Sequence, residues 1–325
     1  MHPASLKHVL LSLSVSTLSS HARALPRQRA CAVKLPVLAD TSHSTPETAA
    51  FFKGYFAAKT SLDAETWVSF FNRDQTYYFD AAVGGGSPNF TDWVAATNYY
   101  TGLWGEGAAS YPTRILGDRI QGAVVEFTDT PEMFGSELRI LAAVDFRERN
   151  VTRQVDYWDG RGSQFIKERV DDAQYDTKLG LESVEEVASP VMQRIAHQLQ
   201  AHLSKANSSA AAGLFSPDGT LEEKTMRVRL DGRLNIEGYL QRTVELMPYG
   251  PGSQMQHVLG NQFGGGYEWS AGNRNSTMGV LNGITALELD DNELITRCTI
   301  LWESSKVDDA VFRGLAEKSV VYPSE

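Results

Sequence analysis

One stretch of this chain occurs twice. Residues 138–160 read LRILAAVDFRERNVTRQVDYWDG, and residues 281–304 read LNGITALELDDNELITRCTILWES. In each copy an apolar run leads into a polar turn, and a second run ends on a tryptophan with an acidic neighbour, Trp158-Asp159 or Trp302-Glu303. This pattern predicts a β-hairpin. Because the hairpin recurs far along the chain, we expect two copies of one domain, which differ where Asp156 is replaced by Ile300.

The overall composition fits this expectation. A chain of 325 residues is long enough for two domains that each bury a core. With 42% hydrophobic and 22% charged residues, it has the composition of a globular protein. The formal net charge of -10 argues against nucleic acid or an anionic membrane as the main partner. A small neutral or apolar molecule is easier to accommodate.

The N-terminus predicts a secreted protein. An apolar, serine-rich run follows Lys7 and His8, and Ala22-Arg23-Ala24 supplies small residues at the positions that a signal peptidase recognises. We therefore expect a signal peptide, residues 1–24, cleaved after Ala24, and a flexible lead-in over 25–45. The alternative is a disordered N-terminus that is not cleaved. The expected location is the secretory pathway, either outside the cell or in the lumen of a vesicle or vacuole.

Four glycosylation sequons agree with a eukaryotic secretory route: Asn89, Asn150, Asn207 and Asn275. Only Cys31 and Cys298 are present, so at most one intramolecular disulfide can form, and no CxxC metal motif exists. We expect neither a metal nor a cofactor.

The first copy predicts helices before strands. Apolar residues at helical spacing indicate helices over 48–59 and 62–71, ahead of a first strand over 75–82. A third helix over 89–101 precedes four strands, which the pattern places at 113–116, 121–128, 137–147 and 151–158.

The second copy repeats this order. We expect a helix over 191–203, a first strand over 226–230 and a helix over 236–247, followed by strands at 256–259, 265–269, 279–289 and 294–302. The predicted domains are therefore 46–165 and 189–305, with a linker over 166–188 and a C-terminal tail over 306–325. Helices followed by an antiparallel sheet indicate an α+β fold and exclude parallel doubly wound folds. We expect two tandem cone-shaped α+β barrels, each with helices packed in a strongly curved antiparallel sheet and an interior suited to a small molecule.

The order of elements and the closing run VTRQVDYWDG resemble the nuclear transport factor 2-like superfamily, in particular its SnoaL-like polyketide cyclases, ketosteroid isomerase-like proteins and limonene epoxide hydrolases. The resemblance covers both predicted domains. In the epoxide hydrolases the last strand ends in a similar DYFD run with a pocket carboxylate, which implies that role for Asp156. Their central strand carries an arginine and an aspartate that fall here on Val124 and Glu126.

The first strand of the same enzymes carries a tyrosine and an asparagine that fall on Tyr77 and Phe79. Because Val124 and Phe79 replace two groups that position water, epoxide hydrolysis is not expected. The remaining carboxyls and phenol are the groups that the isomerase-like and cyclase-like members use to move protons next to carbonyls.

Strand alternation supports a pocket around Asp156. It places Gln154, Asp156 and Trp158 on one face of the last strand. A carboxylate beside aromatic side chains loses solvation, its pKa rises, and it becomes a general base near neutral pH. Glu126 would share a proton with it or act as the acid, and Tyr77 would donate a hydrogen bond to an enolate oxygen.

Three alternatives stay open at this stage. Asp156 could cap a strand end in solvent, Glu126 could form an ion pair on the outer face of the sheet, and Tyr77 could be a core aromatic. The remaining predicted pocket-lining residues are Phe79 and Val124. In the second copy His257 and Glu268 could do acid–base work, although a structural histidine is the simpler interpretation, and without a carboxylate at Ile300 the pocket is expected to be degenerate.

The predicted function is a cofactor-independent tailoring enzyme of secondary metabolism. It would abstract a proton or form an enolate on a polyketide-like substrate and lead to cyclisation, isomerisation or coupling, one family-level possibility being the dimerisation of maleic anhydride units. The alternative is a non-catalytic secreted small-molecule binding protein of the same fold. A third interpretation makes the second copy an intrachain substitute for a partner subunit, with homo-oligomers still allowed.

Overall fold

The computed structural model describes residues 38–271 and 281–320. The predicted signal peptide and its cleavage site after Ala24, most of the lead-in, Cys31 and the sequon at Asn275 lie outside these residues. No helix within the two described ranges is long and apolar enough to cross a membrane.

The first domain folds four helices against a seven-stranded sheet. The helices are α1 (Pro46–Thr60), α2 (Ala64–Val68), α3 (Phe90–Leu103) and α4 (Pro131–Phe134). The strands are β1 (Asp40–Ser44), β2 (Tyr77–Asp80), β3 (Gly85–Ser87), β4 (Ser110–Asp118), β5 (Gly122–Asp129), β6 (Leu138–Arg147) and β7 (Asn150–Tyr157). They are ordered β1-β4-β5-β6-β7-β2-β3, and only the β1–β4 and β2–β7 pairs are parallel.

The second domain repeats the arrangement with a six-stranded sheet. Its helices are α5 (Pro190–Ser204), α6 (Ser208–Gly213), α7 (Arg233–Thr243) and α8 (Asp309–Ser319). Its strands are β8 (Phe215–Glu223), β9 (Val228–Asp231), β10 (Ser253–Gly260), β11 (Gly264–Ala271), β12 (Leu281–Leu289) and β13 (Ile295–Trp302). The order is β10-β11-β12-β13-β8-β9, with β13 and β8 parallel.

The predicted α+β class is confirmed, and each sheet is open and curved rather than closed into a barrel. The repeated hairpins are β6–β7 and β12–β13, as predicted. Three segments differ from the prediction. Part of the lead-in forms β1, and part of the C-terminal tail forms α8. In the second domain the strand that corresponds to β2 is β8. The segment predicted for that strand, 226–230, overlaps the edge strand β9 instead.

Local sequence explains where the helices of the first domain begin. Thr45 caps α1 by accepting a hydrogen bond from the Thr48 N–H at 3.3 Å, and Pro46 occupies the first turn, where its missing N–H is not needed. Asn89 caps α3 in the same way, accepting from the Asp92 N–H at 3.0 Å. The aromatic side chains of α1 then pack inside the curved sheet, against residues of β5, β6 and β7.

The two sheets pack back to back through their outer faces. A third core, separate from the two domain interiors, contains Val124, Leu141 and Val155 of the first sheet and Leu259, Ile284 and Leu301 of the second. The backbones approach closely at Gly117, where a Cβ would lie 3.2 Å from the Gly260 Cα of the other sheet. Its φ of +90° and the Gly122 carbonyl oxygen, with which that Cβ would clash, exclude a side chain there.

Charged residues surround this interdomain core with approximate two-fold symmetry. Arg114 on β4 donates to Glu288 on β12 at 2.6 Å. At the corresponding position of the other half, His257 on β10 pairs with Asp145 on β6 at 2.8 Å. A self-complementary contact of this kind is typical of a two-fold dimer interface, which this protein builds within a single chain.

Candidate active site in the first domain

The parallel pair β2–β7 places two carboxylates side by side in the domain interior. Its register pairs Tyr78 with Gln154 and Asp80 with Asp156. Residues opposite each other on neighbouring strands project to the same face. That face points toward the helices, because the Tyr55 hydroxyl of α1 donates to Gln154 at 3.0 Å.

Asp156 is held by two donors. The Tyr78 hydroxyl donates to its Oδ2 and the Gln154 amide donates to its Oδ1, both at 2.8 Å. Only 3% of the residue is exposed. Burial raises the pKa of Asp156 to about 6, even though the charge of Lys59 and the two hydrogen bonds favour the ionised form. The group is therefore ionised at neutral pH and basic enough to accept a proton from carbon.

Asp80 completes the pair and was missed by sequence reasoning. Both of its oxygens accept from the Trp158 indole N–H at 2.9 Å, and Oδ1 also accepts the backbone N–H groups of Ala82 and Val83. Burial raises the pKa of Asp80 to about 7; the Trp158 hydrogen bond opposes this rise and the charge of Asp156 adds to it. Its position two residues after Tyr78, in a strand with alternating faces, is the sequence signal that identifies it.

A buried ion pair lies near this carboxylate pair. Lys59, at the end of α1, donates to both oxygens of Asp129 at 2.9 and 3.0 Å. The ammonium group also faces the rings of Trp67, Trp104 and Phe127. Its positive charge favours the ionised form of Asp156.

Aromatic side chains close the end of the domain where this site lies. Trp93 stacks on Tyr78 with ring centroids 4.4 Å apart. Phe165, the last residue of the first predicted domain, stacks on Trp158 at 6.1 Å and contacts Phe134 at 4.6 Å. The site is thus enclosed and largely apolar around its two carboxyl groups.

A separate surface cleft of about 480 Å³ belongs to the second domain and shares no residue with this site. It is lined by Ser204, Lys205, Ala206, Glu245 and Pro251.

The structure separates Glu126 from Asp156, so the predicted pair is wrong. Glu126 projects from β5 into the interdomain interface, where Arg114 contacts its Oε2 at 2.8 Å and Lys224 pairs with its Oε1. Although burial alone would raise the pKa of Glu126, the charges of Arg114 and Lys224 hold it below its ordinary value. The physical reason is alternation: Val125 faces the helices, so Glu126 and Val124 face the second sheet.

Tyr77 lies on the outer face as well. Its hydroxyl donates to Asp176 of the linker at 2.7 Å, and its ring stacks on Phe79, whose centroid is 6.0 Å away. Phe79 and Val124 belong to the interdomain core and do not line the first-domain interior, so that prediction is wrong too. Gln154 and Trp158 do lie in the interior beside Asp156. The phenol expected at Tyr77 is supplied by Tyr78, one residue later.

His257 and Glu268 also lie in the interface rather than inside the second domain. Arg153 of β7 bridges Asp145 at 3.0 Å and Glu268 at 2.9 Å, and the Tyr157 hydroxyl donates to Glu268 at 2.6 Å. Burial would lower the pKa of His257, but its contact with Asp145 raises it overall. These side chains join the two halves of the chain.

The sequons within the described residues lie at the starts of elements. Asn89 and Asn207 are exposed and cap α3 and α6, while Asn150 is half-buried at the start of β7. Glycosylation at these positions stays a prediction.

Cys298 is buried in the core of the second domain.

Comparison with known proteins gave matches only among solved structures. No family model matches the chain. No curated protein matches it either. The chain is similar to a steroid delta-isomerase from Pseudomonas aeruginosa, with 14% identity and a TM-score of 0.31, over 40% of this chain and 89% of that one.

Two further solved structures are similar. A hypothetical protein with a ketosteroid isomerase-like fold from Catenulispora acidiphila has 21% identity and a TM-score of 0.31, over 35% of this chain and 88% of that one. A SnoaL-like protein of unknown function from Burkholderia thailandensis has 7% identity and a TM-score of 0.30, over 34% of this chain and 93% of that one. Structures described as ketosteroid isomerase-like and SnoaL-like are among these matches.

Proposed function

We propose that the first domain is a cofactor-independent enzyme in which Asp156 removes a proton from a carbon atom next to a carbonyl group. The observation that carries this proposal is the pairing of Asp156 with Asp80 on adjacent strands inside the domain. With pKa values raised to about 6 and about 7, one carboxyl is suited to accept a proton near neutral pH and the other to donate one.

Each polar group has a role in this reaction. Asp156 takes the proton from carbon, and the electron pair of the broken C–H bond moves to the carbonyl oxygen to form an enolate. The Tyr78 hydroxyl, which donates to Asp156 in the ligand-free protein, stabilises that oxygen by donating a hydrogen bond to it. Proton donation by Asp80 to another carbon would complete an isomerisation, whereas attack of the enolate carbon on an electrophile would complete a cyclisation or coupling.

The surroundings favour a neutral, largely apolar substrate. Trp93, Trp158 and Phe165 provide apolar contact area, and a net charge of -10 disfavours anions. We extend the proposal to an oxygenated polyketide-like substrate, to a role in secondary metabolism such as the coupling of maleic anhydride units, and to a secreted or vesicle-lumen location.

Hydrogen–deuterium exchange tests the proposal directly. The purified protein is incubated in D₂O with β,γ-unsaturated ketones and alkyl-substituted maleic anhydrides, and loss of the α-proton signal is followed by ¹H NMR. We expect the protein to accelerate exchange for at least one compound, and Asp156→Asn to lower that rate by about 10²- to 10⁴-fold.

Asp118→Asn is the matched control. Asp118 is buried at the end of β4, where its Oδ1 accepts the Ile120 and Gln121 N–H groups, and an asparagine keeps both hydrogen bonds. It should exchange the substrate at the wild-type rate. Equal rates for Asp156→Asn and the wild type would contradict the assignment of the base. Binding of these compounds without any exchange would instead support the non-catalytic binding protein.

A further inference from the structure

The interface between the two domains contains a cluster of four charged side chains, one of which is a histidine. The cluster consists of Asp145 on β6, Arg153 on β7, His257 on β10 and Glu268 on β11. The His257 Nε2 atom lies 2.8 Å from one Asp145 oxygen, and Arg153 donates to the other at 3.0 Å. Arg153 also donates to Glu268 at 2.9 Å. At most 8% of any of the four side chains is exposed.

Without a proton on His257 this cluster carries a net negative charge. Asp145 and Glu268 supply two negative charges and Arg153 supplies one positive charge, so that one negative charge is left over. A buried charge without a partner is costly, because it has lost its interaction with water. Protonation of His257 brings the sum to zero and turns its contact with Asp145 into an ion pair.

The corresponding cluster on the other side of the interface balances without a histidine. Arg114 contacts Glu126 at 2.8 Å and Glu288 at 2.6 Å, and Lys224 pairs with Glu126 as the second cation. Two cations therefore face two carboxylates. His43 lies 3.7 Å from Glu288, but its side chain is partly exposed, so that water solvates both of its forms. A charge balance that depends on a buried histidine is thus confined to the His257 side.

In the part of the chain that the structure describes, the other elements packed against His257 add no charge to its cluster. Tyr157 on β7 donates its hydroxyl to Glu268 at 2.6 Å, and burial raises its pKa well above the ordinary value, so it is uncharged. Helix α5 packs on the opposite face of β10, where Val258 belongs to the core of the second domain. The remaining charged or titratable residues of β4, β5, β6 and α5 pair elsewhere, accept backbone N–H groups or are at least partly exposed: Arg114 with Glu126, Asp129 with Lys59, Asp118 with two N–H groups, and Arg139, Arg147, Arg194, His197 and His202 exposed.

We propose that His257 is a pH-dependent latch between the two domains, whose proton completes the charge network at Asp145 and whose loss weakens the contact between the two sheets. Burial alone would lower the pKa of His257, but the adjacent Asp145 raises it overall. The stabilisation is therefore fully present below the ordinary value of 6.5 and is lost as the pH rises through the higher pKa of the folded state. The latch is closed in acidic solution and opens toward alkaline pH.

Hydrogen–deuterium exchange of the full chain, followed by mass spectrometry, tests the latch. The backbone amides of β6, β7, β10 and β11 are compared between the wild type and His257→Gln, at pH 6 and at pH 9. Glutamine keeps a donor for Asp145 but cannot take up a proton. We expect these amides to exchange about tenfold faster in the variant at pH 6, the factor that corresponds to one pKa unit, and at similar rates in both proteins at pH 9.

His197→Gln is the matched control. His197 is exposed on α5, outside the interface, so this variant should exchange like the wild type at both pH values. If the ratio of exchange rates between His257→Gln and the wild type is the same at pH 6 and pH 9, the proton on His257 does not hold the domains together and the proposal is overturned.

A ¹H–¹⁵N titration of the histidine rings gives a second readout, which the wild type alone can decide. The ring of His257 should titrate above pH 6.5, and Asp145→Asn should lower its midpoint by about 1–3 pH units, because the neighbouring negative charge is removed. A wild-type midpoint at or below 6.5 would also overturn the latch. Neither readout uses proton exchange at Asp156, so this inference and the proposed function fail separately.

Discussion

Replacement of Asp156 by asparagine should make the protein more stable at pH 8 and less stable at pH 4. Burial raises the pKa of this carboxyl from 3.8 to about 6 in the folded protein. This difference of about two pKa units means that ionisation of Asp156 lowers the unfolding free energy by about 3 kcal/mol relative to the protonated form. Asparagine keeps the shape but carries no charge, so it avoids this loss.

The sign follows from proton binding. Between pH 3.8 and 6 the folded state binds more protons at Asp156 than the unfolded state does, so stability falls as the pH rises through this window. Asparagine also replaces one acceptor oxygen, which weakens the contact with Tyr78 or Gln154 by about 1 kcal/mol at every pH. The net expectation is a gain of about 2 kcal/mol at pH 8 and a loss of about 0.5 kcal/mol at pH 4, where the group is already partly ionised in the unfolded chain.

Urea unfolding at one-unit steps from pH 4 to pH 8, followed by tryptophan fluorescence, measures this crossover. Asp291→Asn, at an exposed turn between β12 and β13, is the control and should show no crossover. If the difference between Asp156→Asn and the wild type is constant across this range, burial does not raise the pKa of Asp156. The reasoning that makes it a base would then be refuted.

Two further predictions concern the interface between the domains. Arg153→Met should lower the unfolding free energy by about 3–5 kcal/mol in urea, because Asp145 and Glu268 would remain buried without their cation; a loss below about 1 kcal/mol would contradict a structural role. Gly117→Ala should lower the thermal midpoint more than Gly135→Ala does. Both glycines have positive φ, but only at Gly117 would the methyl group meet other backbone atoms, at Gly122 of the same sheet and at Gly260 of the facing sheet; equal losses would argue against close packing there.

Local sequence predicted the hairpins and the faces of the last strand. β7 alternates cleanly from Gln154 to Trp158, and one side of it contacts the helices as expected. The short strand β2 carries too few residues to fix its phase from pattern alone. The resemblance to the epoxide hydrolases places the pocket tyrosine at Tyr77, but Tyr78 is the tyrosine in the interior, since a slip of one residue exchanges the two faces of a strand.

The sequence pattern fails where both faces of a strand are buried. On β5, Val124 and Val125 are both inaccessible, one toward the second sheet and the other toward the helices. Alternation of apolar and polar residues then no longer distinguishes the face toward the helices from the face toward the second sheet. The sequence pattern therefore cannot assign Glu126 to the interface between the domains. The same holds for His257 and Glu268, whose partners come from the other domain.

β8 escaped prediction for a related reason. Its sequence FSPDGTLEE contains a proline and a glycine, residues that normally interrupt strands, and its last residue, Glu223, is a fully buried carboxylate. The structure tolerates the proline and the glycine because the register of β8 with β13 shifts between Phe215 and Thr220, so that both residues lie in a bulge outside the regular pairing. The glutamate accepts a hydrogen bond from the Trp302 indole N–H.

The sequence by itself determined the duplication of the domain, the α+β class and the orientation of Asp156, because these depend on composition and on periodicities along one segment. Only the tertiary structure decided which carboxyl groups meet. Asp80 reaches Asp156, and Glu223 lies opposite Ile300, through parallel pairing of strands that are far apart in the chain. Two parallel strands are joined by a long crossover, so they lie far apart in the sequence. The local sequence of each strand therefore does not show which residue of the other strand it will pair with.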